Sequence, residues 1–306
     1  MSAQTKDSVP SASAKALLTE IIDYAGLFPP SLATMAEAVG NYAAYKKSVY
    51  SWMLGRFIVP AARLDEFLES ANEFLKAENA NNGWRLSVLA SEDVYESIRL
   101  IENFNRQNAD RVLCDAFEIR ANTVSEIENA ARILPDYLTA YFEVPINHNL
   151  ADLVSTLAIT NQRAKIRTGG VTPDAFPKTR EIIRFMRTCL AANVPFKATA
   201  GLHHPVRCFK PLTYEPDAPE GTMHGFMNLF IAAGFIRQGY KTNLVESLME
   251  DEFSESFSFS DGGVTWHINY ALTTRQLQIL RERNIISFGS CSFEEPIADL
   301  QEMRIL

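Results

Sequence analysis

The chain has 306 residues, 47% of them hydrophobic and 22% charged, which is material for one large α/β domain or two smaller ones and gives no reason to expect disorder. A net charge of -8, a pI near 5.3 and the lack of any dense run of Lys and Arg argue against a nucleic-acid partner. Four scattered cysteines without a CxxC pair suggest neither a zinc knuckle nor a disulfide framework, and fit reduced thiols in a cytoplasm.

Residues 1–13 are polar and rich in Ser and Ala, so they read as a flexible start, with 14–306 as one domain. No stretch of about 18 uncharged apolar residues suggests a membrane span. A short helix over 14–22 leads to 23–30 (DYAGLFPP), a strand or turn ended by two prolines. Helix is expected over 31–47 with Ser31 as N-cap, then a β-type run over 56–60 and an amphipathic helix over 64–78, closed by the Asn-Asn-Gly of 81–83. From there strands at 85–90, 111–120, 138–144, 164–170, 196–205 and 285–290 alternate with helices at 91–104, 124–133, 150–160, 174–192, about 222–240 and 272–283.

Counted from residue 23, these are eight strands interleaved with helices. The pattern predicts a parallel sheet, and its number a (β/α)8 TIM barrel. An open doubly wound sheet is the rival, but no GxGxxG or Walker A sequence sits at a strand-to-helix turn. Two irregular stretches follow the seventh strand and precede the eighth, 208–221, rich in proline, and 250–265, rich in Ser, Phe and Gly. Both read as lids.

Side-chain alternation points to a site. In 164–170 (AKIRTGG) Lys165 and Arg167 alternate with Ala164, Ile166 and Thr168, and in 196–205 (FKATAGLHHP) Lys197 and Thr199 alternate with Phe196, Ala198 and Ala200. Apolar residues must face the covering helices, so the charged set points into the barrel. The same test turns Cys114, Ala116 and Glu118 inward on one strand, and Tyr141 and Glu143 on the next. Glu118, Glu143, Lys165, Arg167 and Lys197 would line adjacent staves near their C-terminal ends, where barrel active sites lie. A buried ion-pair network without chemistry is the plain alternative.

Two neighbouring lysines also allow Schiff-base chemistry, because each cation, with desolvation, favours a neutral amine on the other. Three motifs resemble the deoxyribose-phosphate aldolases, class I aldolases built on a (β/α)8 barrel. Lys165-Ile-Arg-Thr168-Gly169 resembles the strand around that family's Schiff-base lysine, and Lys197-Ala-Thr-Ala-Gly201 the next strand, whose lysine perturbs the first. Phe288-Gly289-Ser290-Cys291-Ser292 resembles the end of the last strand, where backbone amides hold the substrate phosphate. The motifs cover about 20 residues in the right order. The chain is longer than usual members, carries Glu118 where aspartate is usual, adds Arg167, and has a foreign segment at 201–207. The resemblance implies Lys165 as nucleophile, Lys197 as its perturber, and Glu118 or Glu143 as proton shuttle.

Gly169, Gly170, Gly201, Gly289 and Ser290 are the expected anion-binding turns, with Arg167, Arg207 and His204 as further anion contacts and His203 as an acid/base candidate. A solvent-facing loop residue is an equal reading for His204, and a buried structural thiol is the expectation for Cys291, which has no histidine nearby in sequence. No cofactor and no metal are expected. The partner is a small anionic substrate, without nucleic acid or membrane, and a homo-oligomer is compatible with the sequence. Two alternatives stand beside the aldolase-like lyase or isomerase. One is a metal-dependent sugar isomerase or epimerase using Glu118, Glu143 and a histidine such as His203 or His224. The other is a non-catalytic barrel that binds a small anion.

Overall fold

The computed structural model describes residues 9–76, 78–79 and 82–306; most of the expected flexible start and Asn81 of the expected turn lie outside them. Seven strands come first: β1 (Ile22–Tyr24), β2 (Leu54–Pro60), β3 (Trp84–Leu89), β4 (Val112–Arg120), β5 (Thr139–Glu143), β6 (Arg163–Arg167) and β7 (Phe196–Thr199). They are followed by β8 (Cys208–Pro211), β9 (Glu220–Met223), β10 (Phe257–Phe259), β11 (Gly263–Trp266), β12 (Tyr270–Thr273) and β13 (Ile285–Ser290). The helices are α1 (Ala12–Leu18), α2 (Met35–Lys46), α3 (Leu64–Leu75), α4 (Val94–Asn108), α5 (Val124–Ala131), α6 (Leu150–Ile159), α7 (Thr179–Ala191), α8 (Phe226–Arg237), α9 (Thr242–Met249), α10 (Thr274–Arg283) and α11 (Glu294–Glu302).

Strands β1 to β7 and β13 close into a barrel in the order β1-β13-β7-β6-β5-β4-β3-β2, every neighbouring pair parallel. This is the expected (β/α)8 barrel. Its outward strand residues are large and apolar. Phe57 of β2 meets Phe67 of α3 at 5.2 Å between ring centroids, Phe196 of β7 meets Phe185 of α7 at 5.4 Å, and Phe288 of β13 stacks on Phe226 of α8 at 4.8 Å. Burial of this layer is the main drive that turns the opposite, polar strand faces inward. Among the described residues no helix is long and apolar enough to cross a membrane.

Local chemistry moved several expected boundaries. The first helix ends at Leu18, because Glu20 is left-handed (φ 48), and Ile22 already belongs to β1. Helix α2 is capped by Thr34 rather than Ser31: Leu32 is also left-handed (φ 48), while Thr34 and Glu37 exchange both bonds of a capping box. Strand β7 stops at Thr199, where Ala200 (φ 64) and Gly201 (φ 73) turn the chain through two successive left-handed residues. In β4 the pairing to β3 slips between Leu86↔Cys114 and Ser87↔Ala116. Asp115 is thus an extra, bulged residue, and the expected inward face of Cys114, Ala116 and Glu118 breaks below Ala116. Asp115 accepts from Arg56 of β2 and Arg85 of β3, whereas the Cys114 backbone bonds the side chain of Asn105 in α4.

The stretch 208–221 contributes a two-stranded antiparallel hairpin, β8 with β9. The other irregular stretch is no lid. Strands β10, β11 and β12 form a separate sheet that packs Trp266 and Tyr270 against Phe235 of α8, at 6.2 and 6.3 Å, and so thickens the outer helical layer.

Candidate active site

Inward side chains of four neighbouring strands, with one from β1, make an alternating chain of charge. Lys165 and Lys197 are directly paired in register across β6 and β7, and Glu143 of β5 is paired with Lys165. Glu118 sits between the lysines, its Oε2 2.6 Å from Lys165 Nζ and its Oε1 2.7 Å from Lys197 Nζ. Glu143 Oε2 lies 2.9 Å from Lys165 Nζ, and its Oε1 lies 3.4 Å from Arg167 Nε and 3.7 Å from Arg120. At the other end Asp23 Oδ2 holds Lys197 Nζ at 2.5 Å and accepts from Ser287 Oγ at 2.7 Å, and Oδ1 accepts the backbone N–H of Arg56. All five sequence-predicted residues of the ion cluster therefore meet.

Burial alone would neutralise such groups. It is outweighed by partners. Desolvation raises Glu118, yet the Lys165 and Lys197 cations hold its carboxyl far below the usual range. For Lys197, desolvation opposes the charge but the Asp23 and Glu118 carboxylates hold the ammonium well above its ordinary value, with the Tyr141 ring 5.3 Å from Nζ. Glu143 is likewise lowered, by Lys165 and then Arg167 against its own burial.

A cavity of about 270 Å³ opens at the C-terminal ends of the strands. Lys165, Glu118 and Arg167 form its charged wall, and Phe28, Ile58 and Leu89 part of its apolar wall. Gly170, Gly201, Gly289 and His203 also line it, whereas Lys197, 1% exposed against 3% for Lys165, lies outside its lining. Gly169 is not part of the lining, but with Gly201 it has a packing role. A Cβ on Gly201 would stand 2.6 Å from the Phe176 ring and 2.8 Å from Gly169 Cα, so only glycine lets the two turns meet under that ring. Ser290 is buried and its hydroxyl accepts the N–H of Ser292 at 3.3 Å, which occupies one amide of the expected phosphate turn.

No family model matches the chain, and no curated protein matches it.

Two expected anion contacts lie away from this cavity. Arg207 pairs with Glu252 at 3.1 Å. His204 is buried rather than solvent-facing, with Nδ1 2.6 Å from Asp299 of α11. His224 donates from Nε2 to Pro177 O at 2.8 Å, and burial holds its imidazole below its usual value. Among the described residues no group of three or more His, Cys, Asp and Glu side chains is arranged to hold a metal ion. The set of Glu118, Glu143 and a histidine is thus not assembled; both glutamates are spent on lysines.

Three roles could not be read from the sequence. Asp23 anchors Lys197, and Tyr141 covers it. Cys291 lines the cavity with His203 Nδ1 3.8 Å from its sulfur, so the expected inert thiol has a histidine after all. The pairing joins the turns after β7 and β13, adjacent in the barrel but far apart in sequence. A buried cation shelf beneath a partly apolar cavity, with Lys165 at its wall, suits covalent capture of a small carbonyl compound.

Proposed function

We propose that the chain is a lysine Schiff-base lyase of aldolase type, or a related isomerase, acting on a small carbonyl compound that carries an acidic group. The observation that carries this reading is the unequal placement of the two buried lysines. Lys165 reaches the cavity, while Lys197 is clamped below it between Asp23 and Glu118 as a fixed cation. The motif resemblance to deoxyribose-phosphate aldolases assigns the same roles.

Attack requires an unprotonated Lys165. Each of its carboxylate partners is also held by another cation, Glu118 by Lys197 and Glu143 by Arg167 and Arg120. Loss of the Lys165 proton therefore strands no buried carboxylate without a counter-charge. The Nζ–C bond then forms, the carbonyl oxygen takes a proton, and departure of water leaves an iminium. Its nitrogen accepts the electron pair of the neighbouring C–C bond in a lyase, or of a C–H bond in an isomerase. Glu143, with a side chain 15% exposed against 1% for Glu118, is the carboxylate that exchanges protons with water. Glu118 stays ionised and stabilises the iminium electrostatically. Arg167, half exposed at the cavity wall, faces the acidic group of the substrate.

The test is incubation with a panel of small aldehydes and 2-oxo acids in EDTA, reduction with borohydride, and peptide mapping. The expected adduct is on Lys165 and is abolished by Lys165→Met. An adduct on Lys197, none across the panel, or one that needs an added divalent cation would overturn the reading.

A further inference from the structure

The amine chemistry leaves one part of the cavity wall unused. Cys291 follows β13 and His203 follows β7, and both line the cavity. The His203 Nδ1 position is 3.8 Å from the Cys291 sulfur and 3.3 Å from Glu295 Oε2 in the first turn of α11. The Tyr214 hydroxyl, from the loop of the β8–β9 hairpin, donates to the same Glu295 oxygen at 3.0 Å and lies 3.7 Å from the sulfur. Burial works against the charge on His203, but its bonds to Cys291 and Glu295 outweigh burial and raise it to about 9. The Glu295 carboxylate can only accept, so Nδ1 carries its hydrogen, and an N–H stands beside the sulfur.

The other cysteines lack this setting. Cys114 and Cys189 are fully buried, and burial pushes both thiols up. Cys208 is the most open of the four, yet burial still moves it up to about 11, with Lys210 only partly opposing. Exposure and reactive surroundings thus belong to different cysteines, which makes the two separable by experiment.

We propose that Cys291 is a modification site for small hydroperoxides, with His203 as the acid of the step. The thiol proton leaves to water and the thiolate sulfur attacks one peroxide oxygen. The S–O bond forms, the O–O bond breaks, and the departing oxygen takes the Nδ1 proton of His203. The products are a sulfenic acid and water, or an alcohol from an organic peroxide, with sulfur oxidised and peroxide reduced by two electrons. A poor leaving group such as hydroxide gains from a placed proton donor, which a halide or thiolate would not need. The cavity admits a molecule of this size, and Glu295 with Tyr214 fixes the imidazole that serves it. This inference does not rest on the Schiff-base reading, although a modified Cys291 would intrude on the space in front of Lys165.

The experiment treats the full chain with hydrogen peroxide in the presence of dimedone and maps the trapped sulfenic acid by mass spectrometry. Cys291 is expected to be labelled before the more open Cys208. His203→Gln is expected to slow Cys291 labelling about a hundredfold, the low end of what a placed acid contributes, while Cys208 keeps its rate. Labelling of Cys208 first, or an unchanged Cys291 rate in His203→Gln, would overturn the proposal. Should that variant fail to fold, the order of labelling in the unsubstituted chain decides alone.

Discussion

Replacing Glu118 by Gln removes one charge at the centre of the buried chain and should be the most informative single substitution. The carboxylate accepts from Lys165 at 2.6 Å, Lys197 at 2.7 Å and Ser87 at 2.7 Å. An amide keeps an oxygen for Lys197 and Ser87 but turns its NH2 toward the Lys165 ammonium, donor against donor. Two buried cations would then lean on Asp23 and Glu143 alone. Breaking a buried pair from one side costs about 3–5 kcal/mol, a large part of the roughly 5–15 kcal/mol that keeps a domain folded. Urea unfolding of both proteins at pH 7 measures it. The pH dependence supplies a second check. The folded-state value of Glu118 is depressed, so its stabilisation is complete above the unfolded carboxylate range and is lost as pH falls from there toward the folded value. Below about pH 4 the gap between the two proteins should therefore shrink by about 1.4 kcal/mol per pH unit. A cost under about 1 kcal/mol at pH 7, or a gap that stays constant on acidification, would refute the account of a paired, ionised Glu118.

Lys197→Met leaves Glu118 with Lys165 as its one ammonium partner and removes the neighbouring cation; borohydride labelling of Lys165 should slow near neutral pH and recover at higher pH, and labelling indifferent to Lys197 would contradict the clamp. Gly201→Ala puts a methyl group 2.6 Å from the Phe176 ring at φ +73, so a loss of about 1–3 kcal/mol in urea unfolding is expected. A neutral result there would mean that the 171–178 segment gives way freely.

Alternation made the charged wall readable because strand stereochemistry leaves no choice: once Ile166 and Phe196 face helices, Lys165 and Lys197 face the barrel. Asp23 was hidden by the brevity of β1, three residues with no alternation to reveal a face. Its importance comes from closure of the barrel, which sets β1 beside β13 and lets Asp23 reach Ser287 and Lys197. A bulge has no sequence period, so Asp115 threw off the reading of Cys114 by one residue. Composition misled at 250–265, where Ser and Gly suggested a loop although Val264, Trp266 and Leu272 carried an apolar side for a small sheet. The contact of Cys291 with His203 spans 88 positions and depends on barrel register, which no local pattern encodes.

The bulge at Asp115 also decides how traffic through the protein must run. Its carboxylate ties Arg56 and Arg85 together, and Arg85 reaches on to Glu20, so an ionic plug lies toward the N-terminal ends of the strands. The pocket below that plug, lined by Glu20, Arg85 and Trp84 among others, shares no residue with the lysine cavity. Lys165 is instead approached from the C-terminal ends of the strands, where it lines both the cavity of about 270 Å³ and a neighbouring hollow of about 1020 Å³ that Glu143 shares. On the proposed Schiff-base reading, a reaction that splits one compound into two releases its fragments in sequence, because one piece stays bonded to nitrogen until water frees it. Added second fragment should accordingly compete with the incoming compound, whereas added first fragment should not.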